Sequence, residues 1–324
     1  MGYNRGAMIF LITGAAGFLG SALANTLARE GHEVRALDDL STGDPGALTR
    51  EVLFTRGDVN DRPKLWTLLQ GVDCVYHLAA RVSVPESILY PREYNAVNVG
   101  GTVSLMEAMR DVGVQRVVYV SSGAVYGDQG EQPLHEQMRP KPRSPYAVSK
   151  LAGEYYVRTI GTLWGIETVV LRVFNAYGPG QHLPASHPPV IPNFIRQALR
   201  GGTLVMHGDG SQTRDYVYLD DVTRALIAAA TAPQAVNEII NVGSGTENSV
   251  RTLVNLVLEH TQAKATVIEN PHTAPGVERM WADISRAKKL LGYIPRVSLE
   301  EGLRLTLARD PRFNRAPTRP APHQ

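Results

Sequence analysis

From Met8 to about Asp128 the sequence alternates short β-branched runs with amphipathic stretches long enough for helices, and that alternation admits few folds. It is the pattern of βα units, in which parallel strands are joined by crossover helices. Strands are predicted at Met8 to Thr13, Glu33 to Leu37, Val52 to Phe54, Cys74 to Leu78 and Arg116 to Val120, with helices over Phe18 to Arg29 and Tyr94 to Arg110. Runs at Thr168 to Val173 and Glu238 to Val242 extend the same sheet. The expected class is α/β, a doubly wound parallel sheet followed by a smaller C-terminal α/β region.

Between the first strand and the first helix lies Gly14-Ala15-Ala16-Gly17-Phe18-Leu19-Gly20. Missing side chains there let the backbone turn tightly and approach a pyrophosphate at the helix N-terminus. The spacing is G-x-x-G-x-x-G rather than G-x-G-x-x-G, so a plain strand-to-helix turn competes with a dinucleotide site of the Rossmann type. Asp38 favours the latter. It lies eighteen residues after Gly20, just past the second strand, where a carboxylate accepts hydrogen bonds from an adenosine ribose. It would also repel a 2′-phosphate, and Leu37 to Thr42 contains no Arg or Lys to neutralise one, which points to NAD rather than NADP.

Tyr146-Ala147-Val148-Ser149-Lys150 puts a phenol and an ammonium at i and i+4, on one face of a helix that Ser144 and Pro145 are suited to start. The pair follows a strand ending Val120-Ser121-Ser122, whose hydroxyls are expected at the carboxyl edge of the sheet, although serines also form ordinary turns. A phenol is a poor base at neutral pH. A cation at about 4 Å, with an effective dielectric of 20, favours phenolate by roughly 4 kcal/mol, about three pKa units.

After Asn175 the texture changes. Gly178-Pro179-Gly180 and the proline-rich stretch from His182 to Pro192 read as a loop over a binding cleft. Ser249 and the Ser298/Glu301 capping-box spacing announce later helices, and Gly292 a helix end. The expected division is residues 1–174 for the dinucleotide domain, rejoined by a segment near 215–247, and 175–310 mainly for substrate. Residues 311–324, rich in proline and poor in apolar side chains, are expected to form a disordered tail.

Composition removes several classes of function. With 33 Lys and Arg against 31 Asp and Glu, the net charge of +2 offers no broad field for nucleic acid or an acidic membrane. The apolar stretch Met8 to Thr13 is too short to span a bilayer, and a cytoplasmic protein is expected. The single cysteine, Cys74, excludes an internal disulfide and a Cys-built metal site, and its apolar context suggests a core thiol. No histidine spacing matches a metal motif, so no metal is assigned.

Taken together, these residues resemble the extended short-chain dehydrogenase/reductase family, and within it the nucleotide-sugar 4-epimerases of the UDP-glucose 4-epimerase type. The resemblance covers about residues 8 to 308. Besides the glycine turn and Tyr146/Lys150, it rests on Asp38-Asp39-Leu40-Ser41-Thr42-Gly43, Gly57-Asp58-Val59, His77-Leu78-Ala79-Ala80 and Asn98-Val99-Gly100-Gly101-Thr102. It continues through Ser121 to Gly127, Leu171 to Gln181, and Gly208 to Tyr216. The resemblance implies NAD contacts from Gly14, Gly17, Phe18, Leu19 and Gly20, from Asp38, Asp39, Leu40, Ser41, Thr42 and Gly43, and from Asp58 and Val59 near the adenine. It further implies cofactor contacts from Leu78, Ala79, Ala80, Asn98, Tyr146 and Lys150. Ser122, Tyr146 and Lys150 would be catalytic, with Ser122 bridging Tyr146 and the sugar. Asn175 and Arg214 would meet the substrate diphosphate, with Val190 and Arg279 as further substrate contacts. For Arg214 the competing reading is an ion pair with Asp215 or Asp220.

The implied reaction is redox-neutral inversion at C4 of a UDP-hexose. Tyr146 takes the C4 hydroxyl proton, hydride passes to bound NAD, and the 4-keto sugar turns over and takes the hydride back on its other face. The related dehydratases and decarboxylases carry an acid soon after the strand-end hydroxyl, whereas here Gly123, Ala124 and Val125 follow Ser122. A ketoreductase using the same groups, and a non-enzymatic NAD-binding scaffold, are the alternatives. Two departures from the family pattern stand out. Ala274 occupies the place of a usual diphosphate-binding arginine, with Arg279 or His272 as candidate substitutes. Met280 stands near the position that gates the sugar substituent, leaving N-acetylamino and glucuronate analogues open. A homodimer through helices in about 93–110 and 146–162 is also implied.

Overall fold

The computed structural model describes residues 6–270 and 277–314. His272, Ala274 and Gly276 lie outside the described residues. The chain begins with β1 (Ile9–Thr13), α1 (Phe18–Arg29), β2 (Glu33–Asp38), β3 (Leu53–Arg56), α2 (Arg62–Leu68), β4 (Cys74–His77), α3 (Val84–Leu89) and α4 (Pro91–Asn95). It continues through α5 (Gly101–Val112), β5 (Arg116–Ser122), α6 (Pro145–Trp164), β6 (Glu167–Val173), β7 (Asn175–Tyr177), α7 (Val190–Leu199), β8 (Thr203–His207), β9 (Thr213–Arg214) and β10 (Tyr216–Tyr218). The remainder is α8 (Leu219–Thr231), β11 (Glu238–Val242), β12 (Asn248–Ser249), α9 (Val250–Thr261), β13 (Thr266–Asn270), α10 (Ser285–Leu291) and α11 (Leu299–Arg309).

Seven strands form one parallel sheet in the order β11-β6-β5-β4-β1-β2-β3, the predicted doubly wound arrangement. Its strands are apolar on both faces because both faces are covered. Phe10, Ile12, Cys74, Tyr76, Val118 and Val120 pack with Leu23 and Leu27 of α1 and Val222 and Leu226 of α8. The intervening Leu11, Val75, Val117 and Tyr119 pack with Leu65, Leu105, Met109, Val157 and Ile160 on the other side. Winding runs from β1 toward β3 in one direction and from β4 toward β11 in the other, so a crevice opens where β1 and β4 end.

A second core, around Phe194, Leu204, Tyr216, Leu253 and Leu303, lies under α7, α9 and α11. Ser249 and Ser298 cap α9 and α11 as predicted, accepting from the amides of Thr252 and Glu301, and Gly292 ends α10 with φ 62°. The Glu301 carboxylate turns to Arg304, leaving the capping box half made.

Three expectations need correction. The helix expected over 94–110 begins at Pro91 and is interrupted by a π-helical turn at Ala96–Gly100, a local widening that apolar periodicity does not reveal. The loop expected to run to Pro192 ends at Pro189, since a proline in the first turn of α7 needs no amide partner. Of the tail expected over 311–324, residues 315–324 lie outside the described residues, whereas 311–314 are packed: Phe313 is 6% exposed in the second core, and Arg312 pairs with buried Asp310. One aromatic side chain is enough to anchor that turn, whatever the composition of the residues beyond it.

Candidate active site

The glycine turn is built as the sequence requires. Gly14 has φ 70°, and a Cβ there would stand 2.6 Å from the Ala79 amide nitrogen, so the β1 and β4 ends can approach only with glycine present. At Gly20 a Cβ would stand 2.8 Å from Ala15 Cα and closer still to Gly14 O, so α1 folds directly back on the turn. Gly17 starts α1 with no side-chain cap, leaving first-turn amides of a twelve-residue helix aimed into the crevice. Asp38 borders this turn, accepting from Ala16 N at 2.9 Å and Leu40 N at 2.8 Å, and burial pushes its carboxyl pKa up. Asp39, Ser41 and Thr42 are exposed, and Leu40 and Gly43 half-buried, along the loop beside it. The uncapped helix end, the glycine cradle and the neighbouring Asp38 carboxylate are a donor and acceptor set that suits a dinucleotide such as NAD.

Leu78, Ala79 and Ala80 lie opposite that turn, half-buried. They are placed by a hydrogen-bond chain that the sequence reading missed. Ala79 N donates to Thr13 Oγ1 (3.3 Å), Thr13 Oγ1 meets His77 Nδ1 (2.7 Å), His77 Nε2 meets Thr102 Oγ1 (2.9 Å), and Thr102 donates to Asn98 O (2.6 Å). Because Thr102 spends its proton on Asn98, it can only accept from His77, which fixes the proton on Nε2 and makes Nδ1 the acceptor. Burial, aided by the charge of Lys150, drops the His77 pKa to about 3, so the ring is neutral. A polar Thr and His at the inward ends of two apolar strands are the signal that could have announced the chain.

Two cofactor assignments change. Asn98 is 1% exposed and spends its amide inside the protein: Nδ2 donates to Arg81 O and Ser149 Oγ, and Oδ1 accepts from Arg81 N. It holds the loop after Ala80 against α6 and has no free donor for a ligand. Val59 is 6% exposed and packs on Gly101 in the core, while Asp58 stays exposed and accepts from Asn60.

At the carboxyl end of β5 the strand alternation splits the two serines. Ser122 is half-buried and caps a 3-10 turn by accepting from Ala124 N at 3.1 Å. Ser121, 3% exposed, points the other way and donates to Glu154. Ser122 is the serine of the two that lies close enough to the Tyr146 phenol to act on its titration. Tyr146 is 9% exposed, on the first turn of α6 after the Ser144 cap. Burial raises its pKa, and the Ser122 hydrogen bond opposes the rise. The expected phenol–ammonium pairing is not what the chain makes by itself. Lys150 turns to β5 and donates to Val120 O at 2.9 Å, over the Tyr119 ring, and burial lowers its pKa to about 8.

Substrate candidates follow from strand register. Ser122 pairs with Val173 at the end of β6, Asn175 begins β7 two residues on, and Asn175 N donates to Asp215 O beside Arg214. The Asn175 side chain is exposed, and Val190 is half-buried at the start of α7. Arg214 is half-buried, its guanidinium donates to Thr213 O at 2.7 Å, and burial lowers its pKa. Neither suggested carboxylate pairs with it. Asp215 accepts from Ser244 N, Ser244 Oγ, Gly245 N and Ala282 N, and Asp220 pairs with Arg309. Arg214 is thus a partly desolvated cation without a counter-charge among the described residues, which suits a phosphate ligand. Arg279, by contrast, is engaged by Glu247 through two hydrogen bonds of 2.7 and 2.8 Å, so its fork is not free. Met280 is 9% exposed and packs into the first core. No helix of the described residues is long and apolar enough to cross a membrane.

Comparison with known proteins agrees with this geometry. The chain is 38% identical over 304 residues to a UDP-glucose 4-epimerase of Mycolicibacterium smegmatis, covering 92% of this chain and 96% of that protein. It is 35% identical over 314 residues to a UDP-glucuronate 4-epimerase of Thermodesulfobacterium geofontis, covering 92% and 94%. Its structure superposes with a TM-score of 0.89 on the UDP-glucose 4-epimerase of Thermotoga maritima solved with UDP-glucose, at 35% identity and covering 93% of this chain and 97% of that one. Residues 10–243, which hold the glycine turn, Asp38, Ser122, Tyr146, Lys150 and Arg214, match the model of the NAD dependent epimerase/dehydratase family, and the chain belongs to that family, among its nucleotide-sugar epimerases.

Proposed function

We propose that the chain inverts C4 of a UDP-hexose of the UDP-glucose/UDP-galactose type through a transient 4-keto sugar. One observation carries the reading: the buried phenol of Tyr146 lies beside Ser122, whose hydroxyl opposes the effect of burial on it, and the three residues after that serine hold no acid. Chemistry confined to C4 needs one group to take and return a proton, whereas loss of water or carbon dioxide needs a second. NAD would be held by the glycine turn, the α1 terminus and Asp38, and when bound supplies reversible two-electron chemistry at C4.

Tyr146 takes the C4 hydroxyl proton and later returns it, with Ser122 aligning the phenol and the sugar oxygen. Burial favours the neutral phenol, so Tyr146 acts as base only where positive charge is added, and Lys150, one turn along α6, is the cation that the chain supplies. Arg214 and Asn175 bind the diphosphate, leaving the sugar free to present either face to Tyr146. Residues 1–174 with the returning segment near 215–247 serve the cofactor, and the second core carries the substrate side.

The test incubates purified protein, without added cofactor, with UDP-glucose, UDP-galactose, UDP-N-acetylglucosamine and UDP-glucuronate separately, following C4 configuration by NMR. The glucuronate arm is included because one relative is a UDP-glucuronate 4-epimerase. Interconversion of UDP-glucose and UDP-galactose is the expected result. Conversion of another pair alone would move the substrate, and no conversion of any of the four, even after NAD is added, would move the reading to a 4-ketoreductase or to an unusual nucleotide sugar. The exposed apolar face of α6, Val148, Tyr155, Tyr156 and Leu163, together with Ile88 and Leu89 of α3, supports a homodimer, which light scattering would read as twice the 35.3 kDa chain mass.

A further inference from the structure

Beneath the reacting groups lies a buried ion pair that the proposed chemistry leaves unused. Glu154 stands one turn after Lys150 on α6, as Lys150 stands one turn after Tyr146, so three polar side chains share one face of the helix. The Glu154 side chain is 1% exposed and that of Arg172, on β6, 3%. Arg172 Nε donates to Glu154 Oε1 at 2.9 Å and Nη2 to Oε2 at 2.7 Å, while Ser121 adds its hydroxyl to Oε1. The guanidinium also lies 4.7 Å from the Tyr126 ring centroid. A buried pair of this kind is often no more stabilising than apolar residues of the same volume, so stability alone is a weak reason for it.

Its place relative to Lys150 supplies another. Lys150 Nζ donates to Val120 O, and the next residue of β5, Ser121, holds Glu154, so successive strand residues fix successive turns of α6. Gly153 permits this, since a Cβ there would overlap the Tyr119 phenol oxygen. The other groups around the ammonium bring no negative charge. Tyr119 of β5, 5.2 Å below Nζ, is kept neutral by burial, His77 of β4 is neutral, Tyr146 of α6 is a phenol, and Arg172 of β6 is a cation. Burial pulls the Lys150 pKa down, and Glu154 is the one charge that opposes the pull.

We propose that Glu154 is a positioning residue for the reaction: clamped by Ser121 and Arg172, it is the internal counter-charge that keeps Lys150 an ammonium beneath Tyr146. The proposal rests on the reading that Lys150 serves the site.

The test uses full-length protein labelled with 13C-lysine. The chain has six lysines, and Lys150→Met identifies the relevant signal. In Glu154→Gln the Lys150 titration midpoint falls by about one pH unit or more, at least tenfold in the ammonium-to-amine ratio at fixed pH. The alkaline limb of the kcat profile falls with it, and KM changes little. A midpoint within about 0.3 unit of wild type, with activity reduced evenly at every pH, overturns the proposal. Should the bare Arg172 left by that change prevent folding, Glu154→Met/Arg172→Met removes both charges. Its midpoint is read against that of Arg172→Met, which keeps Glu154: the double variant titrates lower, and equal midpoints in the two overturn the proposal equally. Unimpaired turnover by Lys150→Met would sink the functional reading, a result separable from the titration itself.

Discussion

Arg214 gives the sharpest separation of binding from stability. Its guanidinium is half-buried, makes one hydrogen bond to Thr213 O, and has no counter-charge among the described residues. In the free protein it therefore bears a desolvation cost with little return, whereas a diphosphate would supply the missing charge. A guanidinium fork on a diphosphate would make two charge-assisted hydrogen bonds at about 1.5–3 kcal/mol each, so replacing it by Gln would remove about 3–6 kcal/mol together. The amide recovers part of that, which places the loss near the lower end, on the order of a hundredfold in the Kd for UDP. The same change leaves thermal stability equal or raised, because it removes an unpaired charge. Calorimetric titration with UDP and a melting curve on the same samples read both. An Arg214→Gln protein that binds UDP as tightly as wild type, or that melts several degrees lower, would show that the guanidinium serves packing instead.

Gly20→Ala is expected to cost about 1–3 kcal/mol, since the added carbon meets backbone at 2.8 Å from Ala15 Cα, and to lower the NAD retained through purification, read by absorbance of the extracted cofactor. For His77, the folded pKa of about 3 lies below the usual 6.5, so the folded state binds fewer protons than the unfolded one between those values. Stability therefore falls as pH drops below 6.5, by about 1.4 kcal/mol per unit from this residue. Urea unfolding at two pH values should show that slope reduced in His77→Gln, and an unchanged slope would contradict it. Tyr146→Phe is expected to lower kcat by about 10² or more while leaving NAD content unchanged; full turnover would remove Tyr146 as the base, and unchanged biological activity of a variant without turnover would support the scaffold reading.

The parts legible in the sequence were those set by local rules. Strand alternation, the Ser144, Ser249 and Ser298 caps, the Gly292 end and the glycine turn each depend on neighbours a few residues away. What escaped depends on partners far along the chain. Arg279 pairs with Glu247, thirty-two residues earlier, and Asn98 with Ser149, fifty-one later. Lys150 points to Val120 rather than Tyr146, because a shared helix face brings two side chains into reach without dictating what each one touches. The polar stripe Tyr146, Lys150, Glu154 was visible as a spacing of four and four, yet only packing against β5 and β6 shows what the third member does. Ser121 and Ser122 looked equivalent as a pair, and the pleat of β5 sends them to opposite faces.

The most direct test of redox-neutral inversion at C4 uses UDP-glucose deuterated at C4. Purified protein without added cofactor should yield UDP-galactose retaining the deuterium at C4, with a slowed rate if breaking that bond limits turnover. Product that has lost the label to solvent, or formation that requires stoichiometric external cofactor, would contradict the account.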